Sequence, residues 1–462
     1  MTISIIFLYL IPSFNIVVET SYSQITIIGS DSETAAITSY IDAIIKGPLL
    51  IAQALIVGVT VVHSFVFIPI IKKYRVFFYD NNNSSFIWSF LVNNKQFIII
   101  MIACGSIIFN MSTILIVYQA SLLSSDLALD LSSTLLILIS SNVGNIFIIK
   151  LVTSTIIITL SVLYYYISKK TEKWKDKEQQ NIKYQQIKTI KISLTFCILL
   201  LILGSINIFS NSIQSHNAAV SFLPYLAIFI DWIHFMMVSV WVGGLFYISL
   251  ILSRKLLIKE KTSNLQYPKS FKNSINIHFF LSIILCFSII AIISIGIVFI
   301  TGLYMGLLHI QQPSSLLNST YGNILIIKLL LVFPMALLGG YHHFRLYKLI
   351  NQKIWIQIDQ QLQKLKIFDK SLKLEFIFGI GVIFTSSFLT ITSPPQQDMI
   401  MLPPSEQSDS AKTTNNKNHL FDQSFSFITL LLSISIAISV ILFARRSWLN
   451  LKIYNQNYQN NF

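Results

Sequence analysis

The stretch DWIHFMMVSVWVGGLFYISLIL, residues 231–252, decides how this chain is read. It is apolar over the roughly 20 residues that a helix needs to cross a bilayer. Yet it opens with an acid and an imidazole, Asp231 and His234. A charged side chain at mid-membrane costs on the order of 3 kcal/mol on insertion scales, so such groups normally face the inside of a bundle and have partners. Residues three apart share a helix face, and Met237 and Trp241 continue that face at helical spacing. The stripe therefore offers donors of graded softness. Thioether suits Cu(I), imidazole suits copper, zinc and iron, and carboxylate suits harder ions. Gly243 and Gly244 allow a second helix to come close enough to complete a site. The plainer alternative is that Asp231 reaches headgroup water and a serine hydroxyl satisfies His234.

The rest of the chain puts this helix among others like it. Of 462 residues 54% are hydrophobic and 11% charged, and long apolar runs recur, so the expected fold is an all-α, polytopic transmembrane bundle. Nine spans are expected, at about 48–71, 97–118, 146–168, 192–212, 224–252, 277–308, 323–344, 374–392 and 425–444. The net charge of +14 does not indicate a nucleic-acid partner. Of the 33 Lys and Arg, 28 lie in alternate connections and the tail after residue 444. That bias is the positive-inside pattern, and it predicts an outer N-terminus and a cytoplasmic C-terminus in the plasma membrane. The charged connections, such as KKTEKWKDKEQQNIKYQQIK, read as surfaces at the lipid headgroups. Cys104, Cys197 and Cys286 each lie alone inside an apolar run, which points to packing rather than a disulfide frame.

The expected organisation is a signal peptide over 1–23, a four-span half over 24–222, and a second four-span half over 223–395. A polar extracytoplasmic linker, 396–424, then leads to a last span and tail, 425–462. The two halves echo one another. NVGNIFIIKLV at 142–152 aligns without a gap on TYGNILIIKLL at 320–330, laying Asn145 over Asn323 and Lys150 over Lys328. Both segments open spans of the same direction, so the duplication is parallel rather than inverted. Lys150 and Lys328 lie near the outer ends of their spans, where a long side chain snorkels to water.

Other polar residues form a second tier. His63 stands past the middle of the first span and needs an internal partner, functional or structural. Met305 and His309 are four apart on one face at the outer end of the sixth span, where they could receive an ion. His278, His342 and His343 lie near the inner ends of their spans, and interfacial anchoring is their simplest account. His216, His419, Met399 and Met401 fall on the outer side.

From about residue 224 to 395 the chain resembles the CopD family of copper-resistance membrane proteins. The resemblance rests on DWIHFMMVSVWVGGLFYISL, on VFITGLYMGLL followed by TYGNILIIKLLLVFPMALLGG, and on the closing TSPPQ. It implies copper transport across the cytoplasmic membrane, commonly inward, and a role in copper resistance. It also implies a small extracytoplasmic copper-binding partner, CopC, here expected as a separate protein. His234, Trp241, Gly243, Gly244, Tyr321, Gly322 and Lys328 occupy motif positions.

The expected function is thus a copper carrier rather than an enzyme. Its metal-handling residues would be His234, Asp231, Met237, His63, Met305 and His309. No phosphate-binding Gly-x-x-x-x-Gly-Lys-Ser/Thr run occurs, so any driving force comes from the membrane potential or an internal acceptor. The alternative is a membrane redox protein holding b-type haem through His63 and His234, as in the haem-synthesis proteins that resemble CopD. A third reading makes the chain a membrane partner or sensor for a copper enzyme, with structural histidines.

Overall fold

The computed structural model describes residues 32–72, 95–174, 182–219, 223–252, 269–310, 315–351, 358–392 and 394. The regular elements among them are helical. In chain order they are α1 (Ser32–Val61), α2 (Lys95–Leu127), α3 (Leu131–Ser140), α4 (Asn142–Trp174), α5 (Ile182–Ile213), α6 (Pro224–Phe246), α7 (Lys269–His309), α8 (Ser315–Asn318), α9 (Thr320–Asn351) and α10 (Ile358–Leu389). Eight of these carry apolar stretches long enough to cross a membrane: Tyr40–Lys72, Lys95–Leu127, Asn142–Lys170, Lys188–Ile213, Pro224–Leu250, Leu281–His309, Thr320–Phe344 and Phe368–Leu389. They correspond one for one to the first eight spans expected from hydropathy. Helices are the form such segments must take, because lipid offers the backbone no hydrogen-bond partner. The segment 1–23, the linker 396–424 and the ninth span 425–444 lie outside the described residues, as do Met399, Met401, His419 and the side chain of His278.

The chain divides into two compact units, one of residues Met1–Ser239 with Ile383–Ile391, the other of Val240–Val382 with Thr392–Phe462. The division runs through α6 and α10, so each unit takes part of both helices.

In the first unit α1 is the central element, packing on α2 and α5, while α4 packs on both of those. Val57, Val59, Val62 and Phe67 of this first span are fully enclosed. Close approach is set by small residues. A β-carbon on Gly204 of α5 would come within 2.9 Å of Val57, and one on Gly105 of α2 within 2.8 Å of Ile158 of α4. A polar ladder threads this apolar core. Gln53 donates to Asn207 Oδ1, Asn207 donates to Thr153 at 2.7 Å, and Asn211 donates to Gln53 Oε1 at 2.5 Å. Lys150 adds a further polar contact, its ammonium 3.0 Å from Gln214 Oε1 and set over the Phe147 ring. Lys150 is 3% exposed, so it does not snorkel to water as its position near the span end suggests. Internal amide and phenyl partners hold it instead.

In the second unit α7 packs on α9, and α10 packs against α6 and α9 through Gly379, whose added β-carbon would lie 2.9 Å from Val242 and 3.2 Å from Met335. The outer face of α9 exposes Leu330, Phe333, Leu337, Tyr341 and Phe344 at three- and four-residue spacing, a stripe suited to acyl chains.

The echo between the halves is structural as well as textual. Ser141 caps α4 by accepting from Gly144 N–H at 3.1 Å, and Ser319 caps α9 by accepting from Gly322 N–H at 3.0 Å. Both glycines press on the short helix before them. A β-carbon would fall 2.1 Å from Leu138 O in one and 2.3 Å from Leu316 O in the other, so no larger residue fits. Each half also opens with a span that widens near its end into a π-helical turn, Val62–Phe67 and Tyr247–Leu252.

Candidate functional site

The most concentrated polar chemistry in the second unit lies between α6, α9 and α10. Glu375, on α10, is 2% exposed, His342, on α9, 4%, and Trp241, on α6, 3%. The Trp241 indole N–H donates to Glu375 Oε1 at 3.1 Å. His342 Nδ1 lies 2.8 Å from Glu375 Oε2, and His342 Nε2 lies 2.7 Å from Ser371 Oγ. The two polar atoms of the carboxylate and the two of the imidazole are therefore each engaged by protein. Phe368 covers the imidazole edge-on at 4.7 Å between ring centres.

Local sequence explains the arrangement. Ser371 and Glu375 are four apart and share one face of α10, while Gly339 and His342 are three apart and share one face of α9. Gly339 leaves the gap the carboxylate needs, since a β-carbon there would sit 3.1 Å from Glu375 Oε1. The adjacent His343 turns another way and meets Ser288 of α7 at 2.7 Å through its Nδ1. His342 and His343 are thus not interfacial anchors. Both are buried within the unit, and each binds a different neighbouring helix.

The residues read from sequence as metal ligands fall in several places. Asp231, His234 and Met237 follow one another along α6 in the first unit, each half-buried. Trp232 beside them donates its indole N–H to Ser205 O at 3.3 Å and meets Phe209 edge-on. Trp241, which shares their spacing, is committed to Glu375. His63 lies in the π-helical turn of the first span, stacked on Phe97 at 4.5 Å and beside Phe67 at 5.2 Å. Met305 and His309 do lie one turn apart at the end of α7, with His309 buried against Tyr321 at 6.0 Å, at the capped start of α9. Among the described residues no three His, Cys, Asp or Glu side chains converge as a ready metal site. The three cysteines are free, Cys104 and Cys197 buried and Cys286 partly so.

The Glu375 cluster has a counterpart in the first unit. The ungapped register that lays Asn145 over Asn323 also lays Tyr164 over His342, Ser193 over Ser371 and Cys197 over Glu375. Those three are neighbours too, with Ser193 beside both the Tyr164 phenol and the Cys197 thiol. The first half thus gathers a phenol, a hydroxyl and a thiol at the positions where the second gathers an imidazole, a hydroxyl and a carboxylate.

Comparison with known proteins bears on this second unit. A family model described as Copper resistance protein D matches residues 281–389. The chain is also similar to Copper transport protein CutJ of Bacillus subtilis (strain 168), 27% identical over 181 residues, which is 39% of this chain and 28% of CutJ. The chain thus covers little more than a quarter of that relative's length. No solved structure matches it. The family match over residues 281–389 takes in both His342 and Glu375.

Proposed function

We propose that this protein carries copper ions across the plasma membrane, inward, and so serves copper homeostasis and resistance. The observation that supports this most is the match of residues 281–389 to the copper-resistance family, over helices whose interior holds ionisable groups. The similarity to a copper transport protein agrees with it. In this reading Met305 and His309 receive the ion at the outer side, and the α6 stripe of Asp231, His234 and Met237 passes it along, with His63 as a further donor. Thioether and imidazole are suited to Cu(I), so a series of weak sites lets the ion leave as readily as it enters. An inside-negative potential favours an inward cation by roughly 2.3 kcal/mol per charge per 100 mV. The N-terminus is outside and the C-terminus cytoplasmic, and a separate CopC-like protein delivers the ion.

Copper accumulation measured in right-side-out and inside-out vesicles of cells producing the chain tests this. Faster uptake by right-side-out vesicles, reduced by His234→Ala, is the expected result. Equal flux in wild type and vesicles lacking the protein overturns it.

A further inference from the structure

We propose that Glu375 and His342 form a buried proton-binding site, and that the proton held there is exchanged as the copper ion passes. The second clause rests on the copper reading above. The first rests on geometry alone.

Neither residue reaches water, at 2% and 4% exposure. The groups around them contribute no net charge. From α6 comes the neutral Trp241 N–H. On α10, Ser371 is neutral, and Asp369 is matched by Lys373 one turn on. On α9, His343 is turned to Ser288 of α7, Tyr341 lies beside the His342 ring, and α7 faces Gly339 through Ile295. Among the described residues no further cation stands against the carboxylate. The pair is electroneutral when it holds one exchangeable proton, either as imidazolium and carboxylate or as imidazole and carboxylic acid. Interconversion passes that proton across the 2.8 Å contact from His342 Nδ1 to Glu375 Oε2, breaking one N–H and forming one O–H. Loss of the proton leaves one negative charge in a medium that solvates it poorly. A metal cation brought near the pair offsets that charge, so arrival of the cation and departure of the proton favour one another.

Two observations separate this from a purely structural contact. The first unit closes the equivalent position with Tyr164, Ser193 and Cys197, side chains that keep their protons at neutral pH. The same register sets His63 over Trp241, so the scaffold has no need of an acid there. And with both nitrogens of His342 and both oxygens of Glu375 engaged by protein, the cluster is built to hold a proton rather than to present open ligand positions.

The test is infrared difference spectroscopy of the purified full chain across pH, paired with copper flux and internal pH in proteoliposomes. A carboxylic-acid C=O band that titrates in wild type, is absent from Glu375→Gln and moves in Trp241→Phe is the expected result for the site. A wild-type spectrum with the same pH-dependent bands as Glu375→Gln overturns it. For exchange, copper entry should drive proton release that Glu375→Gln and His342→Gln abolish. Proton release unchanged in both variants overturns the coupling. Titration of the band without any copper flux in wild type would sink the copper reading and the exchange clause and leave the proton site standing. Should Glu375→Gln not fold, Trp241→Phe and His342→Gln read the same band.

Discussion

The imidazole of His342 and the carboxylate of Glu375, 33 positions apart in the chain, meet at 2.8 Å inside the second unit, and Ser371 and Trp241 complete their hydrogen bonding. Removing one partner of such a buried pair leaves the other without compensation. His342→Ala is expected to cost about 3–5 kcal/mol. The double variant His342→Ala/Glu375→Gln should lose less than the sum of the singles by about 1–3 kcal/mol, since neither then strands a charge. Thermal unfolding in one detergent for wild type, singles and double checks this, and additivity of the two losses would contradict the pairing.

Gly339 and Gly379 are predicted to resist alanine where Gly340 does not. The added carbon would sit 3.1 Å from Glu375 Oε1 at Gly339 and 2.9 Å from Val242 at Gly379, whereas at Gly340 it meets nothing within 4 Å. Overpacking at the first two should cost roughly 1–3 kcal/mol. Gly340→Ala should be neutral or stabilising by about 0.5–1 kcal/mol, from lower backbone entropy in the unfolded chain. The melting temperatures of Gly339→Ala and Gly379→Ala should fall below wild type, with Gly340→Ala at or above it.

The two serine caps make an internally controlled pair. Ser141→Ala and Ser319→Ala each remove an acceptor for a glycine N–H at a span start, and each should cost about 1 kcal/mol, with Thr or Asp at the same place restoring most of it. Hydrogen exchange at Gly144 and Gly322 should rise in the respective alanine variant only.

Asp130 gives a pH prediction outside the membrane. It caps α3, accepting from Ser133 N–H at 3.2 Å and from the Ser133 hydroxyl at 2.6 Å, and also from the Ser132 hydroxyl. Those donors, Ser132 first, favour the ionised form and hold the carboxyl down to about 2. A carboxylate lowered in the folded state contributes stability above its unfolded value, near 3.9, and loses it as pH falls through the folded one. The cap should therefore be constant from neutral pH down to about 5 and erode between about 4 and 2. Thermal unfolding of wild type against Asp130→Ala should differ by a fixed amount down to pH about 5 and converge below.

Ala128 sits just beyond the end of α2 with φ of 52°, a left-handed conformation that disfavours a β-carbon. Ala128→Gly should be stabilising by up to about 1 kcal/mol in the folded state, partly offset by added freedom when unfolded. A fall in melting temperature would argue that the turn is held by contacts of the Ala128 methyl.

The spans were legible because hydropathy averaged over about 20 residues reports a constraint that acts on every residue of the segment. The duplication was legible at Gly144 and Gly322 because a helix start that admits only glycine is a local matter. The Glu375 site was not. Glu375 follows Lys370 and Lys373 at the edge of its apolar run, and an acid in such company reads as the solvated end of a span. His342 and His343 precede the basic stretch RLYK and read as headgroup anchors for the same reason. Their burial depends on which helices pack around them, and periodicity within one helix does not carry that information. One signal was present. The register of Asn145 over Asn323, carried on, sets Glu375 and His342 over Cys197 and Tyr164, replacements that make little sense for lipid-facing or solvated positions. Lys150 shows the converse, a cation near a span end that Gln214 and Phe147 enclose.

The most direct measurement is the initial rate of copper entry into proteoliposomes holding the purified full chain under an inside-negative potential. Entry that saturates with copper, exceeds that of protein-free vesicles, and drops by roughly tenfold or more in Asp231→Asn and His234→Ala is the predicted result. Entry no faster than in protein-free vesicles, or unchanged in both variants, would contradict the account.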